Sequence, residues 1–350
     1  NFAEARQSSL LLRFGQLTPA FVLQTLAPLL LIFLAFASVG REKERATLKL
    51  MLAQGVSGRS VIAGKLIGHG AIALGVGLPA FAVLLVFAAT GAAGWGSVAL
   101  MILGYAAWLL LWAVLGVVVS ALAGRPRDAL AILIGLWMVI VILLPRALPE
   151  AASAQSELAT KIETEIALHR DLLKIGDSHD PDDPYFNDFK EEVLAEYGVD
   201  TVEELPVQYD GLVSIEGERL TTQIYADAAN RQIASESDQN TFVHGFSIVS
   251  PLIAIRQLSM ALAGSDLSSH YDFLDQAETF RYDFVQRLNR MQAELLPGIE
   301  GDDPRISAAY WQEIPRFAYD PIDPLARSES LAWPFAVLLG WLVALMALAL

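Results

Sequence analysis

Five stretches of the chain are long enough and apolar enough to cross a lipid bilayer. A helix rises about 1.5 Å per residue, so roughly 20 apolar residues are needed to cross about 30 Å of hydrocarbon. The five stretches are residues 18–39, 66–88, 97–123, 129–144 and the run that begins near residue 331. Backbone polar groups have no water partner in lipid, so each stretch predicts a helix. The fourth is the shortest and is expected to stop at Pro145.

The polar segment 149–330 also has helical spacing. Leu158, Ile162 and Ile166 recur every four residues, and Phe273, Phe280, Phe284, Leu288 and Met291 follow helical intervals. No alternating strand pattern competes, so about four helices are expected. Residues 247–262 are more apolar than the rest of the segment, which leaves two readings open: a helix along the outer membrane interface, or a core helix of this domain.

These patterns predict an all-α polytopic membrane protein with a mainly helical extracytoplasmic domain. The expected divisions are transmembrane helices in 1–148, the helical domain in 149–330, and a last transmembrane helix in 331–350 that the end of the sequence truncates.

Composition narrows the class of protein. Hydrophobic residues make up 54% of the 350, which is high for a soluble protein. The net charge is −15, and 35 of the 39 acidic residues lie between Glu150 and Glu329, so no nucleic-acid partner is expected. Cysteine is absent, which excludes disulfides, thiolate catalysis and cysteine-based zinc sites.

The short connections predict the orientation of the spans. Positively charged residues are retained on the cytoplasmic side, and two connections are rich in them. The loop 40–65 and the turn 124–128 together contain Arg41, Lys43, Arg45, Lys49, Arg59, Lys65, Arg125 and Arg127. The loop between the second and third spans has none. Both basic connections are therefore expected in the cytoplasm, with residues 1–17 and the acidic domain outside.

The basic loop itself predicts an amphipathic helix over residues 42–52. Leu48, Met51 and Leu52 share one face, whereas Arg45 and Lys49 share another with Arg41. Gly55 stands where a C-terminal cap belongs. Such a helix can offer its charged side to a soluble partner and pass that partner's movement to the two attached spans.

The order of residues in this loop resembles the cytoplasmic loop of ABC-2-type transporter permeases. The matching positions are Glu42, Glu44, Thr47, Leu48, Leu52, Gly55, Val56, Ser57, Arg59, Gly64 and Lys65. The family usually has Gly before the Thr, and this chain has Ala46 there. Since Ala favours helix over Gly, the substitution is expected to support the predicted helix.

The resemblance extends over most of the chain. Residues 26–31 (LAPLLL) resemble the second span of these permeases, and the acidic segment resembles the periplasmic domain of unknown function that one subfamily carries. Its matching parts are Ser250 and Pro251, residues 258–266, and residues 273–289 with Glu278 and Arg281. The resemblance implies six spans in the full-length protein, the first of which would precede Asn1.

The resemblance also implies partners. In the family, two permease chains, identical or homologous, pair around a substrate path, and a separate ATPase binds each inner loop. This chain lacks a phosphate-binding loop, so it is expected to bind no cofactor and to catalyse nothing itself, with ATP and Mg²⁺ held by the partner ATPase. The residues implied for coupling are Glu42, Glu44, Arg45, Thr47, Leu48, Lys49, Leu52, Gly55, Arg59 and Lys65.

The second predicted span is rich in small residues. Small residues let membrane helices approach closely, and proline permits a bend. The positions are Gly64, Gly68, Gly75, Gly77 and Pro79. Packing within the subunit is the favoured interpretation, and a moving gate is the alternative.

Other candidate chemistry is weak. Asp177, Asp180, Asp182, Asp183 and Asp188 form an acidic cluster, but its spacing misses the calcium-loop pattern, so a solvated loop is expected and no metal site. The histidines lack the spacing of a zinc hydrolase, and no nucleophile motif appears.

The function expected from these observations is an exporter subunit of a bacterial inner membrane. Its expected partners are the ATPase, a second permease chain, the lipid bilayer and a periplasmic protein. Three alternatives stay open: ATP-driven transmission of force to the periplasmic partner, a membrane-anchored binding or scaffold protein, and a basic loop that merely lies on anionic lipid.

Overall fold

A computed structural model describes residues 18–176, 180, 182–296, 307–312 and 314–350. Residues 1–17 and Asp177, on which parts of the sequence predictions fall, lie outside this range. The described residues form helices and no strand, and five helices are long and apolar enough to span a membrane: Pro19–Glu44, Gly58–Ala89, Trp95–Leu122, Pro126–Gln155 and Ser330–Ala349. The predicted all-α polytopic membrane fold is confirmed.

The helices are numbered in chain order. The first eight are α1 (Pro19–Phe21), α2 (Ala27–Ala35), α3 (Gly40–Glu44), α4 (Thr47–Ala53), α5 (Gly58–Ala89), α6 (Trp95–Leu122), α7 (Pro126–Trp137) and α8 (Leu144–Gln155). The others are α9 (Lys161–Leu172), α10 (Pro184–Tyr197), α11 (Tyr209–Gly245), α12 (Pro251–Leu262), α13 (Leu267–Leu295), α14 (Ala309–Gln312) and α15 (Ser328–Ala349). Wide π-helical turns join α1 to α2 (Val22–Leu26) and α7 to α8 (Met138–Leu143).

The chain divides into two compact units. The membrane unit consists of the residues up to Gln155, Gln239–Asp266 and Ile322–Leu350. The acidic unit consists of Ser156–Asp238 and Leu267–Pro321. The segment 149–330, predicted as one domain, is thus shared between the two, and it contains more described helices than the four expected.

Helix α6 forms the centre of the membrane unit. Of the 18 residues in the apolar window of this helix 78% are buried, whereas the corresponding share is 22% in the second and fourth spans. Trp108 and Trp112 are fully buried and meet edge to face with ring centroids 5.7 Å apart. A Cβ at Gly116 would stand 2.6 Å from the Cβ of Ala35, so this glycine lets α2 lie directly against α6.

Proline shapes the first span. In the π-helical turn the N–H of Ala27 pairs with the carbonyl of Val22, five residues earlier. The next bond of that pattern would join residue 28 to Leu23, but Pro28 has no N–H. The indole N–H of Trp108 instead donates to the Leu23 carbonyl at 3.1 Å. A neighbouring helix therefore satisfies the group that proline leaves without a donor.

The fourth span repeats this arrangement. Leu144 donates its N–H to Val139, and Pro145 cannot donate to Ile140. The hydroxyl of Ser250 donates to the Ile140 carbonyl at 2.9 Å. The prediction that this helix stops at Pro145 is wrong, because the wide turn and the serine accommodate the proline and the helix continues to Gln155.

Helix α12 packs among the spans of the membrane unit. Leu252, Ile255 and Leu258 are fully buried, and the helix lies against α6 and α15. A Cβ at Gly104 would meet a Leu258 methyl at 2.4 Å. The interpretation of this helix as a core element of the acidic domain is wrong, because its apolar residues are buried by the transmembrane helices. Its 12 residues extend about 18 Å, too short to cross the bilayer.

The acidic unit is built around the antiparallel pair of α11 and α13. The amides of Gln286 and Asn289 donate to the carbonyls of Ile215 (3.0 Å) and Ser214 (3.1 Å). A Cβ at Gly211 would meet the backbone of Ala293 at 2.5 Å, so the two helices approach most closely there. The helical spacing of phenylalanines is visible as the stacked pair Phe280 and Phe284.

Candidate functional site

Helix α3 begins where the first span is fixed to the end of α6. The Ser120 hydroxyl is fully buried and accepts hydrogen bonds from the N–H groups of Val39 (3.1 Å) and Gly40 (3.2 Å). Gly40 also lies against Pro126, whose ring would stand 3.2 Å from an added Cβ. Since any side chain at Gly40 would press on the proline, the entry to the basic loop has little freedom.

The two basic connections lie at the same end of the membrane unit. The Lys43 ammonium donates to the carbonyl of Ala121, and Gly40 contacts Pro126 at the start of α7. Loop 40–65 and turn 124–128 therefore share one side, as a charge-determined orientation requires.

An ion pair closes the loop. Glu42 in α3 bonds to Lys65 near the start of α5, and both side chains are partly shielded, with exposed fractions of 22% and 31%. The two residues are 23 apart in sequence. The pair ties the first span to the second at the base of the loop.

The predicted single helix over residues 42–52 is wrong. The helix ends at Glu44 and a new one begins at Thr47, because Ala46 adopts a left-handed conformation with φ 55° and ψ 9°. It is the only non-glycine residue with positive φ in the part of the chain that the structure describes. The expectation that Ala46 supports helix is also wrong: the position is a left-handed turn, where glycine is favoured.

The C-terminal end of α4 and the start of α5 are well defined. The N–H of Gly55 (φ 89°) pairs with Leu52 and that of Val56 with Met51, which is a Schellman cap. The prediction of Gly55 as the capping residue is confirmed. Ser57 then accepts a hydrogen bond from the N–H of Ser60 at 3.1 Å and begins α5.

Helix α4 is exposed along its length. No residue in it is buried; Leu48 and Met51 are half-buried, whereas Leu50 and Leu52 are 62% and 45% exposed. Glu44, Arg45, Lys49 and Arg59 are exposed and form no ion pair among the described residues. The structure thus joins Glu42 to Lys65 and leaves Glu44, Lys49 and Arg59, with two leucines, on an open surface.

Ser120 and Leu50 were missed by sequence reasoning. A serine near the end of an apolar span was the available signal for Ser120, since a buried hydroxyl needs partners. Leu50 had no such signal, because the single-helix prediction placed it between the two faces.

A cavity of about 420 Å³ lies beside this loop at the end of the first span. It is lined by Phe33, Leu34, Phe36, Ala37, Ser38, Arg41, Glu42, Arg45, Thr47 and Lys65. The Ser38 hydroxyl and the second carboxylate oxygen of Glu42 are buried and have no hydrogen-bond partner in the described part of the chain.

Most of the predicted packing glycines of the second span are not packed. Around Gly64, Gly68 and Gly75 nothing described lies within 4 Å of an added Cβ, so these glycines make no close helix contact among the described residues and their packing role stays a prediction. Gly77 does pack, with a Cβ standing 3.0 Å from Leu109. Pro79 lies exposed within the continuous helix.

The acidic unit has its own cavity of about 640 Å³ along α11 and α13. Arg281 donates to Glu218 at 2.8 Å and to Glu278 at 2.7 Å on its wall. Nearby, burial and a hydrogen bond to Glu236 raise the pKa of Tyr271 to about 12, and the same hydrogen bond lowers the pKa of Glu236. The described residues contain no group of three acidic or histidine side chains that could hold a metal ion.

The fold and the loop together define an all-α, polytopic membrane-embedded protein with an exposed helix in a basic loop at one end of its spans. Residues 159–320 match a family model described as a domain of unknown function (DUF3526). The matched region includes α9 to α14, and so it draws on both compact units. Neither the curated proteins nor the solved structures yielded a match.

Proposed function

We propose that this chain is the permease subunit of an ABC-2-type transporter, an exporter of a bacterial inner membrane. In this proposal it works as a dimer with an identical or homologous permease chain. The observation that carries the proposal is α4: an exposed helix with defined ends, held by a loop whose base is fixed to several spans.

The surface of α4 suits a soluble protein partner. It offers Lys49 and the exposed Leu50 and Leu52, with Glu44 beside them. Exposed leucines framed by unpaired charges are typical of a docking surface, because burial of the leucines supplies affinity and the charges set orientation. The ATPase is the proposed partner, and ATP and Mg²⁺ would be bound there.

The base of the loop is suited to transmit movement. A displacement of α4 reaches α3, which Ser120 and Lys43 attach to the end of α6. The same displacement reaches α5 through Glu42 and Lys65. Because α6 is the most buried span, a push on α4 would be delivered to the centre of the membrane unit.

The test is co-purification of the full-length protein with a candidate ABC ATPase from the same organism, followed by ATPase assays. The double variant Glu44→Lys, Leu52→Asp, which changes two exposed positions, is expected to lose association or to uncouple ATP hydrolysis. The matched control is Glu165→Lys, Ile162→Asp, which makes the same changes on exposed positions of the acidic unit. If the loop variant binds its ATPase and functions like wild type, the docking assignment fails.

A second candidate is transmission of force to a periplasmic partner. The cavity along α11 and α13 favours it, because Tyr225 and Leu274 are 48% and 44% exposed there and offer an apolar surface. On this account, Leu274→Asp abolishes the biological function while ATPase association and turnover stay at wild-type levels. An exporter whose acidic unit only supports folding would tolerate the change.

A further inference from the structure

The cavity at the end of the first span combines an apolar wall with a charged one. Phe33 and Leu34 are exposed at 50% and 47% and belong to the transmembrane helix. Arg41 and Arg45, which also line the cavity, form no ion pair with any residue that the structure describes. Such a boundary between apolar and cationic surface is where a phospholipid places its phosphate and the start of its acyl chains.

Two buried polar atoms at the cavity indicate which groups a ligand must supply. The Ser38 hydroxyl and one Glu42 oxygen lack hydrogen-bond partners among the described residues. A buried polar atom without a partner costs roughly 1–3 kcal/mol, so each is expected to bind a group from outside the chain. The Glu42 oxygen requires a donor, since an ionised carboxylate can only accept.

The two arginine side chains of the cavity require an anionic group, whereas the Glu42 oxygen requires a donor. Arginine binds phosphate oxygens with two parallel N–H donors, and two arginines line this cavity. Lys65 is already paired with the other oxygen of Glu42, so the two guanidinium groups are what remain for an anion. A ligand that satisfies all of these groups carries a phosphate and, close to it, a hydrogen-bond donor, and an ammonium group supplies that donor together with the positive charge that favours a carboxylate partner.

We infer that the cavity binds a phospholipid whose headgroup contains a phosphate and a primary ammonium group. Arg41 and Arg45 hold the phosphate, Glu42 accepts from the ammonium, and Phe33 and Leu34 contact the acyl chains. The volume of about 420 Å³ lies within the usual range of ligand pockets, about 300–1,000 Å³. A choline headgroup has no N–H donor and would leave Glu42 unsatisfied.

The inference stands apart from ATPase docking, because lipid binding is measured without the ATPase. Native mass spectrometry of the full-length protein, delipidated and incubated with equal amounts of phosphatidylethanolamine, phosphatidylglycerol and phosphatidylcholine, reports the retained lipid. We expect phosphatidylethanolamine to be retained about tenfold over phosphatidylcholine, which is the effect of one hydrogen bond to a charged group. Equal retention of phosphatidylethanolamine and phosphatidylcholine, or retention of phosphatidylglycerol equal to that of phosphatidylethanolamine, overturns the inference.

Variants locate the binding within the cavity. Arg41→Gln and Ser38→Ala, outside the proposed docking residues, are expected to reduce retention of phosphatidylethanolamine. Glu42→Gln should retain lipid but lose the preference over phosphatidylcholine, which also shows that the protein is folded. Arg127→Gln, the control, removes an exposed charge near the same membrane end but outside the cavity.

A competition experiment distinguishes binding of a lipid from binding of a soluble phosphate compound. Phosphoethanolamine in millimolar excess should not displace the lipid, because it lacks acyl chains to contact Phe33 and Leu34. Full displacement, or equal loss of lipid in Arg41→Gln and Arg127→Gln, contradicts the assignment.

Discussion

The Ser250 hydroxyl donates a hydrogen bond to the Ile140 carbonyl at 2.9 Å, five residues before Pro145. Both partners are buried, and the proline removes the N–H that would otherwise serve this carbonyl in the wide turn. In the same way, the indole N–H of Trp108 donates to the carbonyl of Leu23, five residues before Pro28. Two spans therefore keep their irregular turns because neighbouring helices complete the backbone hydrogen bonding.

This relationship predicts a coupling between positions 250 and 145. Ser250→Ala should lower the free energy of unfolding by about 1–3 kcal/mol, because a buried carbonyl loses its donor. In a Pro145→Ala background the restored N–H can serve that carbonyl, so the same change should cost less. Thermal unfolding of the four proteins in detergent gives the double-mutant cycle.

Ser153→Ala is the control for that cycle, since its exposed hydroxyl bonds to the Pro149 carbonyl at 3.0 Å. Its cost should be near zero. Equal costs of Ser250→Ala in the two backgrounds would show that proline and serine are unrelated.

The left-handed conformation of Ala46 predicts a stabilising substitution. Ala46→Gly should stabilise the α3–α4 turn by about 1 kcal/mol, because glycine has no Cβ to strain at φ 55°. Ala53→Gly, at the last residue of the α4 helix, should destabilise by a similar amount. Hydrogen exchange of the loop amides measures both, and a loss of protection in Ala46→Gly would mean that the turn is not left-handed.

The anchoring of the loop by Ser120 predicts a loss of coupling without loss of binding. Ser120→Ala leaves the N–H groups of Val39 and Gly40 without their acceptor, which should cost about 1–2 kcal/mol. Because α4 is untouched, the ATPase should still bind, but its stimulation by the permease should fall. Thr90→Ala, which removes an exposed hydroxyl bonded to the Val86 carbonyl, is the control. Normal stimulation in Ser120→Ala would exclude this path for movement.

The bond between Tyr271 and Glu236 predicts a pH-dependent contribution to stability. Tyr271→Phe should cost about 1 kcal/mol near pH 7, a value reduced for the partial exposure of the pair. The pKa of Glu236 is lowered in the folded protein, so the stabilisation by this hydrogen bond is complete when the pH is above 4.5, the ordinary pKa of a glutamate. It is lost as the pH falls through the lowered pKa of Glu236. The pKa of Tyr271 is raised, so the same stabilisation is complete when the pH is below 10.0, the ordinary pKa of a tyrosine, and is lost as the pH rises through about 12.

Thermal unfolding of wild type and Tyr271→Phe between pH 3 and 11 checks this dependence. The difference between them should be largest between about pH 5 and 10 and should shrink on either side. Tyr225→Phe, an exposed tyrosine on the wall of the same cavity, should show no such profile. A constant difference across the range would exclude the ionised carboxylate as the partner.

The sequence predicted the spans because hydrophobic length is a local property, and Gly55 because its cap is defined by a few neighbouring residues. Pro145 was misread because the compensation by Ser250 comes from 105 positions further along the chain. Ala46 was misread because helix propensity describes helical positions only, and nothing local marked the turn as left-handed. The burial of α12 likewise depends on helices distant in sequence.

The most direct test of the central claim uses the absence of cysteine from the chain. A single Leu52→Cys variant, exposed on α4, is treated with a membrane-impermeant maleimide in intact spheroplasts and in inverted membrane vesicles, with and without the ATPase. Ile162→Cys in the acidic unit is the control and should react from outside. The account predicts that Leu52→Cys reacts only in inverted vesicles and is protected by the ATPase. Reaction in intact spheroplasts, or no protection by the bound ATPase, would contradict it.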